Sequence, residues 1–273
     1  MSGFDKDWLA LREPADRAAR AKPMVEALRR HLRQERAPVI IDIGCGTGST
    51  WRSLSPDFPA QTRWRLLDHD PLLLAEAARR IGETGTVSLH EFDLNQAESL
   101  ALDGVSMVTA SALFDLCSDA FCARFACLLA ARGVGLYAAL NYDGRMEWSI
   151  AHPLDRQVVE DFNRHQRIDK GLGPALGPEA TAYLVRQFEA LGYRTEVESS
   201  PWELGPDEAA LQAALLKGLE QPLGEIGSLT SSDIRTWLDF RLAAVGKAGS
   251  RCVVGHADFL ALPGALPDTL PRE

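Results

Sequence analysis

Residues 38–51, read as P-V-I-I-D-I-G-C-G-T-G-S-T-W, concentrate the groups best placed to hold a ligand. A carboxylate, Asp42, interrupts an apolar run, and three glycines follow at alternating positions, Gly44, Gly46 and Gly48. Glycine lets the chain turn sharply and lets a ligand approach the backbone without meeting a Cβ. The β-branched run at 39–43 predicts a buried strand. Residues 49–54 can begin a helix, with Thr47 or Ser49 as its cap. Strand, glycine turn and helix N-terminus together make a cradle for a nucleotide. The dinucleotide fingerprint G-x-G-x-x-G does not fit, because its third glycine falls on Ser49.

Two further acids stand where strands should end. Residues 64–67 read as the second strand, and Asp68 follows it about 20 residues after the glycine turn, the spacing of a ribose ligand. A carboxylate suits that role because its two oxygens can accept from a vicinal diol. Asp70 is the rival, but its place before Pro71, which opens a helix to about residue 81, reads better as an N-cap. The run 87–92 predicts a third strand ending at Asp93.

The string D-x-G-x-G-x-G, the acidic residue of Asp68-His69-Asp70-Pro71 and the acid at Asp93, in that order, resemble the motifs of the class I (Rossmann-like) S-adenosylmethionine (SAM)-dependent methyltransferases. The resemblance spans residues 37–141, with His69 standing where the family usually carries an aliphatic residue. It implies SAM as cofactor and S-adenosylhomocysteine as product. Asp42, Gly44, Cys45, Gly46 and Gly48 are then expected at the methionine moiety, Asp68 and His69 at the ribose, and Asp93 and Leu94 at the adenine. Ser111 and Asp115, after the fourth strand, are candidates for the methionine part or the acceptor, and Phe114 for a wall at the sulfonium. Asp115 could equally cap the following helix or lie on a solvated turn.

Positioning these groups requires a layered fold. Strands are predicted near 39–43, 63–68, 86–92, 105–110 and 133–140, with helices between most of them, which implies a parallel sheet wrapped on both faces. A helix follows at 179–191, a strand at 193–199, two helices within 206–247 and a last strand at 251–262. The expected architecture is α/β, with a seven-stranded, mostly parallel sheet. The family fold implies that the last strand is antiparallel and inserted beside the fifth. A helical extension is expected over residues 1–36, the transferase domain over 37–262, and a disordered tail over 263–273. In the extension, 15–36 read as helical, with Met24, Val25, Leu28 and Leu32 on one face. Trp8 is an anchor or a lid element.

The acceptor side is expected after the fifth strand. Asn141 and Tyr142 are first choices for acceptor contacts, with Asp143-Gly144 as a turn. An insert at 145–178 contains a predicted helix over 153–168. His165 could share a face with Asp161 or Asp169 and act as a general base; a surface ion pair is the alternative. Long inserts that are not of low complexity are usually functional.

The 273 residues carry a formal net charge of −9 and a pI near 5.2. That balance argues against a nucleic-acid backbone as main partner and favours a small-molecule acceptor. No apolar run approaches a membrane span and no signal-peptide pattern opens the chain, so a cytoplasmic protein is expected, monomer or homodimer. Of the five cysteines, Cys117, Cys122 and Cys127 match no zinc spacing, and no metal site is expected. The resemblance predicts SAM-dependent methyl transfer; alternatives are a SAM-binding module without turnover, or a transferase using a SAM-derived cofactor.

Overall fold

The computed structural model describes residues 5–264. β1 (Val39–Ile43) is buried at every position and pairs in parallel with β2 (Arg63–Asp68) and β4 (Met107–Ser111). β3 (Val87–Glu91) extends the sheet beyond β2, and β5 (Gly135–Trp148) extends it beyond β4. The order is β3-β2-β1-β4-β5-β8-β6, with β8 (Cys252–Pro263) antiparallel between β5 and β6 (Tyr193–Ser199). Strand order reverses between β1 and β4, and a crevice opens there at the strands' carboxyl ends.

Among the described residues, the sheet has eight strands, close to the expected seven. The twelve-residue β8 outruns β6, and its first residues pair instead with a short β7 (Trp202–Leu204). β5 is likewise longer than expected. It continues through Asp143-Gly144, which is therefore no turn, because Met146, Glu147 and Trp148 find partners on β8. The register shifts twice along this pair, and positive φ at Leu140 and Gly144 accommodates the shifts.

Helices cover both faces. The N-terminal extension holds two helices, α1 (Lys6–Ala19) and α2 (Lys22–Leu32), so helix begins nine residues before the expected start. The chain breaks at Arg20, with Pro23 in the first turn of α2 and the Ala21 amide donating to Asp258 at 3.0 Å. Met24, Leu28 and Leu32 are buried as expected, in one core with Ile40, Trp64 and Leu260. α3 (Ser49–Leu54) and α4 (Pro71–Ile81) follow β1 and β2, and α5 (Asp119–Ala130) leads into β5. Gly48 itself, at φ 81°, occupies the cap of α3, so neither Thr47 nor Ser49 caps it.

The insert contributes α6 (Asp155–His165), shorter than expected, before α7 (Ala180–Ala190). Three helices rather than two follow β7: α8 (Ala209–Gly218), α9 (Glu220–Ile226) and α10 (Ser231–Ala244). Gly227 in left-handed conformation stops α9, and a Thr230–Asp233 capping box starts α10. They enclose a separate apolar cluster around Trp237 and Trp202. All five thiols are free; Cys117 and Cys122 are buried, whereas Cys127 is exposed on α5. The expected disordered tail lies, beyond Gly264, outside the described residues.

Candidate active site

The glycine turn lies on the floor of the crevice. Gly44, Gly46 and Gly48 have φ of 59°, 53° and 81°, a region costly for side chains with a Cβ. A Cβ at Gly46 would come within 3.2 Å of Leu9, and one at Gly48 within 3.1 Å of Ile81. The cavity above is lined by Gly44, Cys45 and Gly46, by Asp68 and His69, by Asp93 and Leu94, and by Ser111. Eight of the ten residues expected at a cofactor therefore share one cavity.

Asp42 and Gly48 are not among its lining residues. Asp42 is fully buried; Oδ1 accepts from the Thr109 hydroxyl at 2.6 Å, and Oδ2 has no partner. Burial pushes this carboxyl up to about 7, while the Thr109 bond and the Arg20 charge pull it down. Asp68 is buried at the end of β2. Its Oδ2 accepts from the Gly46 amide at 2.8 Å and its Oδ1 from the Asp70 amide at 3.0 Å. The ribose candidate thus also ties β2 to the glycine turn, and its remaining lone pairs can receive a diol. Asp70 caps α4 by accepting from the Leu72 amide at 2.8 Å, as expected. Asp93 accepts from the amide and side chain of Asn95 through Oδ1, at 2.9 and 3.0 Å.

At the end of β4, Ser111 accepts from Arg20 at 3.1 Å, and Ala112 adopts a left-handed φ of 51°. That strain turns the chain across the cavity mouth, where Leu113 and Leu116 supply apolar wall. Phe114 is no wall: it is fully buried against Phe125. Asp115 is no cap either, since Ser118 caps α5. Instead Asp115 is buried with Oδ1 unpartnered, and desolvation raises it to about 6.

None of the three acceptor-side candidates lines the cavity. Asn141 is buried and donates to the carbonyls of Ala138 and Ala257, bracing the β5 irregularity. Tyr142 is buried with its hydroxyl unpartnered, edge-on to Phe162 and His256. Its phenol is held protonated, since burial raises its pKa. His165 bonds neither Asp161 nor Asp169. Its Nε2 meets Glu225 at 2.8 Å and its Nδ1 lies 3.4 Å from the Lys170 ammonium. Lys170, with Gly171 and Leu172, does line the cavity, and burial lowers its pKa.

The sequence predicts a helical extension over residues 1–36 but does not single out Leu9, Arg12 or Asp16 on α1 as site residues. Leu9, Arg12 and Asp16 form one wall of the cavity. The helix is fastened by Glu13, which accepts two bonds of 2.7 Å from Arg52, and by Asp16, which accepts from Trp202 at 2.9 Å. His256, packed against Trp202 and Tyr142, stays neutral at pH 7, because burial, then the Arg12 charge, depresses its imidazole to about 3. The i, i+4 spacing of Arg12 and Asp16 was the available signal.

Together, the fold and the site define a Rossmann-like α/β protein with a cavity that opens over a glycine turn between two strand-end carboxylates. Residues 40–133 match the family model of a methyltransferase domain. That match covers about a third of the chain. A cyclopropane synthase of Mycobacterium tuberculosis superposes with a TM-score of 0.53 at 12% identity, covering 95% of this chain and 94% of that one. The YcgJ protein of Bacillus subtilis gives 0.51 at 13% identity, covering 90% and 100%. Both establish the fold alone. A Haemonchus contortus phosphoethanolamine methyltransferase gives 0.47 at 14% identity; this chain, covered to 90%, spans 53% of its length. No curated protein matches the sequence.

Proposed function

We propose that the protein transfers the methyl group of SAM to a small-molecule acceptor, with residues 37–262 as the transferase domain and 1–36 as an extension folded over it. The carrying observation is the convergence of the glycine turn, Asp68 and Asp93 from three successive strand ends on one cavity. The cavity's own chemistry fits the cofactor. The glycines leave room for a ligand backbone to pass, Asp68 retains acceptor capacity for a diol, and Asp42 Oδ2 is an orphaned acceptor behind the methionine end.

When bound, SAM supplies an electrophilic methyl group. The protein's task is then alignment and exclusion of water. Asp68 and His69 would hold the ribose, Asp93 and Leu94 the adenine. Asp42, Gly44, Cys45, Gly46, Gly48 and Ser111 would hold the methionine part. Leu113, Leu116 and Leu172 keep the cavity dry on its open side. On the acceptor side, Lys170 is the polar group of the insert that faces the cavity, and His165 and Glu225 hold it from behind. Tyr142 and Asn141 act beneath the cavity wall, shaping β5 rather than meeting the cofactor.

A net charge of −9 favours a metabolite over a polyanion as acceptor, and five free thiols fit a reducing, cytoplasmic compartment. Among the described residues, no helix is long and apolar enough to cross a membrane. The test is incubation of purified protein with SAM and a small-metabolite extract, with calorimetry on SAM, S-adenosylhomocysteine and NAD. The expected result is binding of the two SAM-type ligands and a product heavier by one methyl. Binding without any methylated product would reduce the protein to a SAM-binding module, and NAD binding without SAM binding would refute the reading.

A further inference from the structure

Arg12 is the guanidinium that faces the cavity with donors to spare. Its Nε and Nη2 donate to Asp16 at 2.9 and 3.2 Å, while its Cζ lies 4.9 Å from the centre of the Trp202 ring. Asp16 is itself fixed by the Trp202 indole at 2.9 Å, and the two charged side chains are only 12% and 10% exposed. This clamp holds the guanidinium in one orientation before any ligand arrives. Among the described residues, the N–H groups of Nη1 meet no protein acceptor, and Nη1 is not sealed from the cavity.

Arg20 differs. Its Nη2 reaches Ser111 and Thr50, but its Nε and Nη1 are closed off inside the protein. α1 runs from Leu9, which faces Gly46, to its end just before Arg20, whose Nη2 reaches Ser111 and Thr50, and Arg12 lies between them on the cavity wall, near the residues proposed for the methionine part. With Nε and one N–H of Nη2 taken by Asp16, one N–H of Nη1 and the second N–H of Nη2 form a parallel fork matched to a carboxylate.

We infer that Arg12, held by Asp16 and Trp202, is a carboxylate-binding group of this site. The inference rests on the SAM reading, and the carboxylate is either that of the cofactor's methionine or that of the acceptor. Calorimetry on the full chain separates these sources. The probes are S-adenosylhomocysteine, S-adenosyl-3-thiopropylamine, which lacks only the carboxylate, and 5′-methylthioadenosine.

If the cofactor supplies the carboxylate, the wild type prefers S-adenosylhomocysteine over the thiopropylamine by about 10- to 100-fold, the range of a charge-assisted bond. Arg12→Met then erases that preference and leaves methylthioadenosine binding within about twofold. Arg12→Lys, which keeps the charge and loses the fork, retains part of it. The preference is a ratio within each variant, so a loss of folded protein does not imitate it. If the acceptor supplies the carboxylate, the preference survives. Benzoate then quenches tryptophan fluorescence of the S-adenosylhomocysteine-saturated wild type but not of Arg12→Met.

An unchanged preference together with an unchanged benzoate response in Arg12→Met overturns the inference. So does transfer of the effect to Arg20→Lys. A wild type that binds none of the nucleoside probes overturns the cofactor reading as well, which is a different failure.

Discussion

Asp68 and Asp70 lie two residues apart, yet the structure gives them separable duties. The Asp68 carboxylate is buried, accepts from the Gly46 and Asp70 amides, and borders the cavity. Asp70 is half-exposed and accepts from the Leu72 amide at the start of α4. Asp68→Ala removes a charged acceptor for the ribose hydroxyls and frees the glycine turn, so ligand affinity is expected to fall by about 1.5–3 kcal/mol, roughly 10- to 150-fold in Kd. Asp70→Ala removes a helix cap, about 1 kcal/mol of stability, and lowers Tm by about 2–4 °C in a chain of this size. Calorimetry with S-adenosylhomocysteine reads the first effect, and thermal unfolding of the free protein reads the second. Asp68→Ala also loses stability, because two amides lose their acceptor; only affinity discriminates. If Asp70→Ala loses as much affinity as Asp68→Ala, the ribose ligand is misassigned. Full affinity in Asp68→Ala would show that its carboxylate serves the turn alone.

Three further outcomes follow from groups around the cavity. Because the Asp42 carboxyl is raised to about 7, a ligand ammonium must compete with its proton, and S-adenosylhomocysteine affinity is expected to rise from pH 5 to 7 and flatten above. The free protein's stability runs oppositely: the contribution is fully present below the ordinary 3.8 and is lost as pH rises through about 7. Asp42→Asn should flatten both profiles, and an unchanged slope in calorimetry and melting would exclude Asp42 as the titrating group. Glu13→Gln, which weakens the Arg52 clamp on α1, should speed amide exchange in residues 6–19 and ligand dissociation together; faster exchange with unaltered dissociation would mean that α1 does not gate the cavity. His165→Ala should leave S-adenosylhomocysteine affinity within about twofold while Lys170→Met lowers methyl transfer more severely. Equal activity of both variants with wild type, on the extract's methylated product, would remove the insert from the reaction.

What could be read from the sequence alone follows from how far each signal reaches along the chain. The glycine turn, Asp68, Asp70 and Asp93 are local: each sits at a strand end fixed by its own apolar run, and the structure finds them there. β2 matches its expected 63–68 bounds for the same reason. The misses are long-range. β7 exists because β8 is long enough to need another partner, and β5 continues past Gly144 because β8 stabilises it. Neither fact is written in the local periodicity. Phe114 resembled a wall because it is aromatic and follows a strand, but the left-handed turn at Ala112 directs Leu113 to the cavity and Phe114 to the core.

The same distinction explains why the acceptor side was harder to read than the cofactor side. Asn141 and Tyr142 sit where a regular fifth strand would end, but the strand does not end there, and both side chains are buried. The polar lining that no motif marks comes from sequence-distant pieces, Arg12 and Asp16 on α1 and Lys170 on the insert, meeting over the same cavity. Each was individually unremarkable: an i, i+4 ion pair on one helix and a lysine before a glycine-rich run. His165, singled out by its neighbouring acids, serves a group five residues further on, because Glu225 of α9 captures its other nitrogen. The glycine turn, Asp68 and Asp93 come from consecutive strand ends and so are open to motif reading, whereas the extension and the insert reach the same cavity only through packing, which decides which of their side chains arrive.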